Sequence, residues 1–181
     1  MKKIDVYGVC NPLIDLLCHI PDEFLQQWDL EKNRMYLVST DRQHSILKEL
    51  ENRSLKIEHA AGGSGANTMI GIAQLGGHSA FTGKIGFDPR GDQYRNDLED
   101  KGVKAALGAG EGMTGSSLIL VSNDGSRTMN THLGMCQELE PDDIDEKVLS
   151  STNILYLTGF LWDTESQKAS VRHALEMAVN L

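Results

Sequence analysis

Residues 61–77 read AGGSGANTMIGIAQLGG. Five glycines crowd the two ends of this stretch, and helix-forming residues fill its middle. Glycine inside a helix costs about 1 kcal/mol relative to alanine. The pattern therefore predicts a helix over about 65–75, with glycines at both boundaries. The Gly-rich approach gathers backbone N–H groups at the helix N-terminus, where the first donors lack partners and the macrodipole is positive. Such a terminus receives an anion or a polar ligand, or it caps a tight turn. The rest of the chain decides between the two.

The chain has 181 residues, 40% hydrophobic and 24% charged, the composition of roughly one soluble globular domain. Its 17 Lys and Arg stand against 26 Asp and Glu, a net charge of −9. An acidic surface repels phosphate backbones, so no nucleic-acid partner is expected. Cys10, Cys18 and Cys136 are too few and too scattered for a disulfide framework or a zinc cluster, and they read as buried, inert thiols. The opening MKKIDVYGVCNPLIDLLC is interrupted by Asp5 and Asp15 and lacks a small-residue cleavage site, unlike a secretion signal. No run approaches the ~20 apolar residues of a membrane span. A cytoplasmic protein without a membrane contact is expected.

KIDVYGVC reads as a buried strand, and NPLIDLLCHI continues it with Leu13, Asp15 and Leu17 on one face and Ile14 and Leu16 on the other. Asp15 is thus a carboxylate inside an apolar strand, seldom buried unless paired or put to use; an edge position in water is the alternative. Residues 21–33 predict a short helix and loop begun by Pro21 and Asp22, and RMYLVS a strand. TDRQHSILKEL predicts a helix capped by Thr40 or Asp41. HSAFTGKIG reads as a strand, and DPRGDQYRNDLEDKG as a polar amphipathic helix stopped by Gly102. GSSLILVSNDGSRTMNTHLG predicts a hairpin turning at Asn123-Asp124-Gly125. EPDDIDEKVLSST reads as a helix, NILYLTGF as a buried strand and TESQKASVRHALEMAVNL as a last helix. The order predicts an α/β sheet carrying a smaller β flap.

In open α/β sheets, ligands bind at the carboxyl ends of strands, beside helix N-termini. Asp15 and Asn67 offer acceptors and donors suited to a polyhydroxylated ligand, because a carboxylate accepts from two neighbouring hydroxyls. The hairpin, with Arg127 in SRTMNT, would cover that ligand and exclude water. The six histidines show no metal-ligand spacing. Trp28 and Trp162 read as packing residues, and Met113, Met129 and Met135 as flexible apolar filling around the flap.

The stretch AGGSGANTMIGIAQLGGHSAFTGKIGFDPRGD resembles the N-terminal signature of the ribokinase-like (PfkB) carbohydrate and nucleoside kinases. The glycine pair, the asparagine four positions after Gly63, the glycines closing the helix and GKIGFDPRGD match in order. GVCNPLID resembles the first strand of the adenosine-kinase-like branch, and TGSSLILVSNDGSRTMNTHLG the lid hairpin with its phosphate-facing arginine. The resemblance implies a three-layer sandwich with a central, mostly parallel sheet and a small β lid, built from segments near 13–20, 34–39 and 103–130. It implies phosphoryl transfer from ATP, with magnesium, to a primary hydroxyl of a sugar or nucleoside. On the substrate side it implies that Asp15 binds two hydroxyls with Asn11 beside it. Gly62 and Gly63 would let the backbone approach the sugar, Asn67 would hydrogen-bond a hydroxyl, and Ser64 would add its backbone or hydroxyl. Arg127 would face the transferring phosphoryl group.

The resemblance runs from residue 4 to about 180 yet covers only the N-terminal part of the family pattern. The Asp-Thr-x-Gly-Ala-Gly-Asp segment, which brings the family's catalytic base, anion hole and most of its ATP site, has no counterpart here. LGAGEG (107–112) has Glu111 in place of the required aspartate and reads as a turn before the hairpin. NDLE (96–99) imitates the family's Asn-x-x-Glu magnesium motif but lies on the wrong helix. The expectation is therefore an N-terminal portion that carries the substrate side, holds no metal of its own, and is inactive alone. Its sheet would be unfinished, and self-association through that edge or the lid is expected. A non-catalytic sugar- or nucleoside-binding module using the same pocket is the alternative. A dinucleotide-binding oxidoreductase fits less well, because the glycines at 62–65 do not make GxGxxG and follow a charged KIEHA rather than a buried strand.

Overall fold

The computed structural model describes residues 4–180. Met1–Lys3, which open the sequence, and Leu181, which ends the last apolar helix of the sequence reading, lie outside the described residues. In chain order the first elements are β1 (Ile4–Val9), β2 (Leu13–His19), α1 (Asp22–Gln27), β3 (Met35–Leu37), α2 (Thr40–Asn52) and β4 (Ile57–Gly62). There follow α3 (Ser64–Gln74), β5 (Ser79–Thr82), β6 (Lys84–Gly86), α4 (Pro89–Asp100), β7 (Lys104–Ala105) and β8 (Gly108–Gly110). The last are β9 (Gly115–Val121), β10 (Arg127–His132), α5 (Glu146–Ser150), β11 (Thr152–Leu157) and α6 (Glu165–Val179).

Four strands form a parallel sheet in the order β11-β1-β5-β7. Alternate residues of β1 serve two helical layers, as the two-residue period of a strand requires. Tyr7 and Val9 enter a core with Val148, Leu149, Val171 and Ala174 from α5 and α6. Gly8 lies against Met69 of α3 on the opposite face, where a Cβ would stand 3.1 Å from the Met69 side chain. This is the expected mostly parallel α/β sandwich. The edge strand β11 is not buried as NILYLTGF suggested, because only β1 pairs with it among the described residues and Ile154 remains 58% exposed.

A second sheet has the order β3-β10-β9-β2-β4. The chain leaves β1 through Cys10–Pro12 and enters this sheet as β2, so NPLIDLLCHI does not prolong β1. The β9–β10 hairpin closes with Gly125 at φ +82°, its N–H bonded to the Ser122 carbonyl at 2.9 Å. One face of the sheet buries Ile14, Leu16, Leu118 and Leu120 in a core shared with Phe24 of α1 and with Ile46 and Leu50 of α2. Each fully buried large apolar side chain is worth about 1.5–3 kcal/mol. The expected flap is thus a five-stranded sheet, and its core runs on into Met69 of α3, Phe81 of β5, and Tyr94 and Leu98 of α4.

Several local readings change. The charged KIEHA stretch forms β4, an exposed edge strand whose last residues, Ala61 and Gly62, turn inward. Residues 103–114 lie outside the lid sheet, with β7 in the central sheet and β8 paired in parallel with β6. LGAGEG is therefore half strand. HSAFTGKIG divides at Gly83, where a Cβ would stand 2.3 Å from the Cys10 carbonyl oxygen. Ser39, one residue earlier than expected, caps α2 by accepting from the Arg42 N–H at 3.3 Å. EPDDIDEKVLSST breaks into a 3-10 turn (Pro141–Asp143) and α5, because the Asp145 side chain accepts from the Lys147 and Val148 N–H groups and starts a new helix.

Candidate active site

The signature stretch builds one corner of a cavity of about 530 Å³. The cavity lies between the inner face of the lid sheet and the carboxyl ends of β1 and β11, continued by Cys10–Asn11 and Thr158–Phe160. That is the place an open α/β sheet reserves for ligands. Gly63, at φ +87°, turns the chain from β4 into α3, a conformation that costs glycine nothing. The N-terminus of α3 has no side-chain cap, and Gly63, Ser64, Gly65 and Asn67 line the cavity. Gly65 admits the Cys10 sulfur, which would lie 2.2 Å from a Cβ there.

The other wall is set by register. In a sheet, residues paired across strands share a face, so Leu37, Thr131, Ser117 and Asp15 form one row across β3, β10, β9 and β2. The next row is Met35, Met129 and Ile119, and all seven residues line the cavity. Asp15 projects toward Gly62 of the neighbouring strand, where a Cβ would stand 2.2 Å from its Cγ. Gly62 thus clears space for the Asp15 carboxylate, and Gly63, not Gly62, brings the backbone to the cavity.

Among the described residues, no hydrogen bond to the Asp15 carboxylate is formed, and Asp15 lines the cavity. Burial pushes the Asp15 carboxyl above its usual value, and the nearby Arg127 charge partly offsets this. Arg127 also lines the cavity, with its own N–H bonded to Asn33 Oδ1 at 3.3 Å. Asn11 has less freedom. Its Nδ2 donates to the Phe160 carbonyl at 3.1 Å, and its Oδ1 accepts from Gln167 Nε2 at 3.1 Å. Asn11 therefore ties the Phe160 loop to the end of β1. The Cys10 thiol is pushed up to about 12 by burial and stays protonated.

Asn11, Asp15, Gly63, Ser64, Asn67 and Arg127 thus surround one cavity, with Gly62 behind Asp15. Sequence reasoning missed Ser117, Thr131, Phe160 and Asp163, which line it too. Phe160 had a signal, since it follows the carboxyl end of a central strand. Met129 lines the cavity rather than filling core, and Trp162 is half exposed, with the Arg172 guanidinium 5.7 Å from its ring centroid. Asp88 of GFDPRGD is structural. Despite opposing burial, hydrogen bonds from Thr114 and the Gly91 N–H hold its carboxyl below the usual range while it caps α4. A second hollow, beside Lys84, has that ammonium paired to Glu140 at 2.8 Å and Asp143 at 3.1 Å.

Residues 31–181 match the model of the pfkB family carbohydrate kinases. The chain belongs to this family. It is 28% identical over 158 residues to the adenosine kinase of Saccharomyces cerevisiae, covering 83% of this chain and 46% of that protein. A probable fructokinase-2 of Arabidopsis thaliana is 28% identical over 126 residues, 66% of this chain and 37% of its own. The crystal structure of adenosine kinase from Sinorhizobium meliloti superimposes with a TM-score of 0.85 at 34% identity, covering 99% of this chain and 54% of that one. The pfkB chain thus spans less than half the length of both curated relatives. Among the described residues, no helix is long and apolar enough to cross a membrane.

Proposed function

We propose that this chain carries the acceptor-substrate side of an ATP-dependent nucleoside kinase, with phosphoryl transfer to a primary hydroxyl. The observation that carries the reading is the division of the cavity. Asp15, Asn67 and the α3 N-terminus supply hydrogen-bonding groups at one end. Met35, Leu37, Ile119, Met129 and Phe160 give the remainder an apolar wall far larger than a lone sugar would use. A ligand with adjacent hydroxyls joined to a flat apolar ring matches both parts. The similarity to adenosine kinases in sequence and in fold supports the same reading, and the fructokinase relative keeps a sugar as the second reading.

Asp15 accepts from two neighbouring hydroxyls, Asn67 holds a third polar group, and the Gly63 turn lets the backbone come close. Arg127 lends its charge to the phosphoryl group, whose transfer depends on positioning and charge neutralisation. ATP supplies that group when bound. Magnesium, which takes one or two carboxylates together with nucleotide phosphates, belongs to the ATP side of this reading. On this reading the catalytic base belongs to the part of the family pattern that these residues do not carry, and the chain is inactive by itself. A panel of nucleosides and hexoses, read by ATP consumption in the intact protein, tests the proposal. Turnover of nucleosides with kcat/KM at least 10-fold above any free sugar is expected, and sugar-only turnover refutes the nucleoside reading.

A further inference from the structure

The row that carries Asp15 holds two more polar side chains. Ser117 and Thr131, 5% and 7% exposed, face the cavity from adjacent strands, and their hydroxyl oxygens lie 3.1 Å apart. Strands are spaced by about 4.8 Å, so Ser117 stands one strand and Thr131 two strands away from Asp15 along the row. On one side of this row stand Ile119 and Met129, and on the other Leu13, paired with Gly115, while Leu133, one residue past β10, also lines the cavity. Short hydroxyl side chains between longer apolar ones make a trough with a polar floor, and Asp15 lies at its end.

We infer that the Ser117–Thr131 hydroxyl pair determines specificity by reading the polar edge of the substrate's ring. The inference rests on the nucleoside reading above. A flat heterocycle set edge-on in the trough meets apolar side chains on both faces and the hydroxyls at its rim, while its sugar reaches Asp15. The chemistry of the pair goes further. Each hydroxyl is one donor and up to two acceptors. When Ser117 donates to Thr131, the Thr131 proton is free for the ligand; when the direction reverses, the Ser117 proton is free and Thr131 presents lone pairs. Neither neighbouring apolar row fixes the direction. The pair therefore meets an acceptor or a donor on the ring with no movement of heavy atoms, so a 6-oxo and a 6-amino purine are both accepted. A purine lacking any group at that position leaves the pair without a ligand partner and is disfavoured.

The test compares adenosine, inosine and purine riboside with the intact protein, scoring kcat/KM and thermal protection by each nucleoside. Wild type is expected to treat adenosine and inosine within about threefold of one another and to prefer both over purine riboside by roughly 10-fold. Thr131→Val and Ser117→Ala should remove that preference, lowering adenosine and inosine toward purine riboside while purine riboside changes less than about threefold. Thr131→Ser, which keeps the hydroxyl, should retain it. Thermal melts without ligand identify any variant that fails to fold, and Thr131→Ser is then read beside Ser117→Thr. Nucleoside turnover without the wild-type preference, or an equal loss for all three nucleosides in the variants, overturns this inference and leaves the nucleoside reading standing. Turnover of sugars with no nucleoside bound overturns both.

Discussion

Gly62→Ala should disable the site while leaving the backbone at ease. Gly62 is a strand residue without a positive φ, so alanine fits its conformation. Its new Cβ, however, would stand 2.2 Å from Asp15 Cγ and 2.3–2.4 Å from the two carboxylate oxygens, where ordinary contact begins at 3.4 Å. The carboxylate must retreat by more than 1 Å, the easiest route being a rotation of Asp15 at a cost of about 0.5–1.5 kcal/mol. For a chain of this length, that lowers the melting temperature by roughly 2–4 °C per kcal/mol. The functional loss is larger. A charge-assisted hydrogen bond contributes about 1.5–3 kcal/mol, and displacing the acceptor of two hydroxyls should cost about 3 kcal/mol, roughly a 100-fold rise in the dissociation constant. Titration calorimetry with the preferred nucleoside, beside a melt of the free protein, separates the two effects. A double-mutant cycle completes the assay: in an Asp15→Ala background, Gly62→Ala should cost almost nothing further. Wild-type affinity in Gly62→Ala, or full additivity with Asp15→Ala, would refute the reasoning.

Acid should weaken the same contact early. The raised Asp15 carboxyl takes up its proton at a higher pH than an ordinary aspartate and then no longer accepts from two hydroxyls, so affinity falls as the pH drops through that value. The folded state holds this proton more tightly than the unfolded chain, so Asp15 contributes no loss of stability there; Asp15→Asn should flatten the binding limb, and an unchanged limb counts against the assignment. Arg127→Met should lower kcat by roughly 100-fold or more while KM for the nucleoside stays within about threefold, whereas a change confined to KM would move Arg127 to the substrate. The 181-residue chain should sediment as a dimer or larger species. Edge strand β11 carries exposed Ile154 beside α6, whose Val179 is 84% exposed; a clean monomer with a sharp, reversible melt would show the edge to be harmless.

The parts of this site legible in the sequence are those encoded locally. The glycines around α3 announce a helix end, and the two-residue period of LIDLL places Asp15 apart from the core face before any partner strand is known. Ser117 and Thr131 are different. Each is an ordinary hydroxyl in an ordinary strand, and only the pairing of β2 with β9 and of β9 with β10 brings them into the Asp15 row. Register is a long-range property, fixed by the hairpin turn and by the buried opposite face. β4 escaped notice for a related reason. Glu58, His59 and Ala60 are exposed on a sheet edge, so no apolar alternation marks the strand.

That hidden strand also explains why the glycine signature reads as one unit. Residues 57–62 are the edge of the lid sheet, 64–74 are a helix of the main layer, and Gly63 alone joins them. The Gly62 carbonyl accepts from Tyr94 Oη of α4 at 3.3 Å, and the Ala61 N–H donates to Asp97 Oδ2 at 2.9 Å. The end of the lid edge, just before the turn, is therefore held to α4. The Asp15 carboxylate is confined by Gly62 on the lid, while Asn67 projects one turn into α3 on the other side of the same bend. The turn that joins the two, at Gly63, is one that only glycine adopts freely, so on the proposed reading the spacing of Gly62, Gly63 and Asn67 follows the ligand as well as the helix.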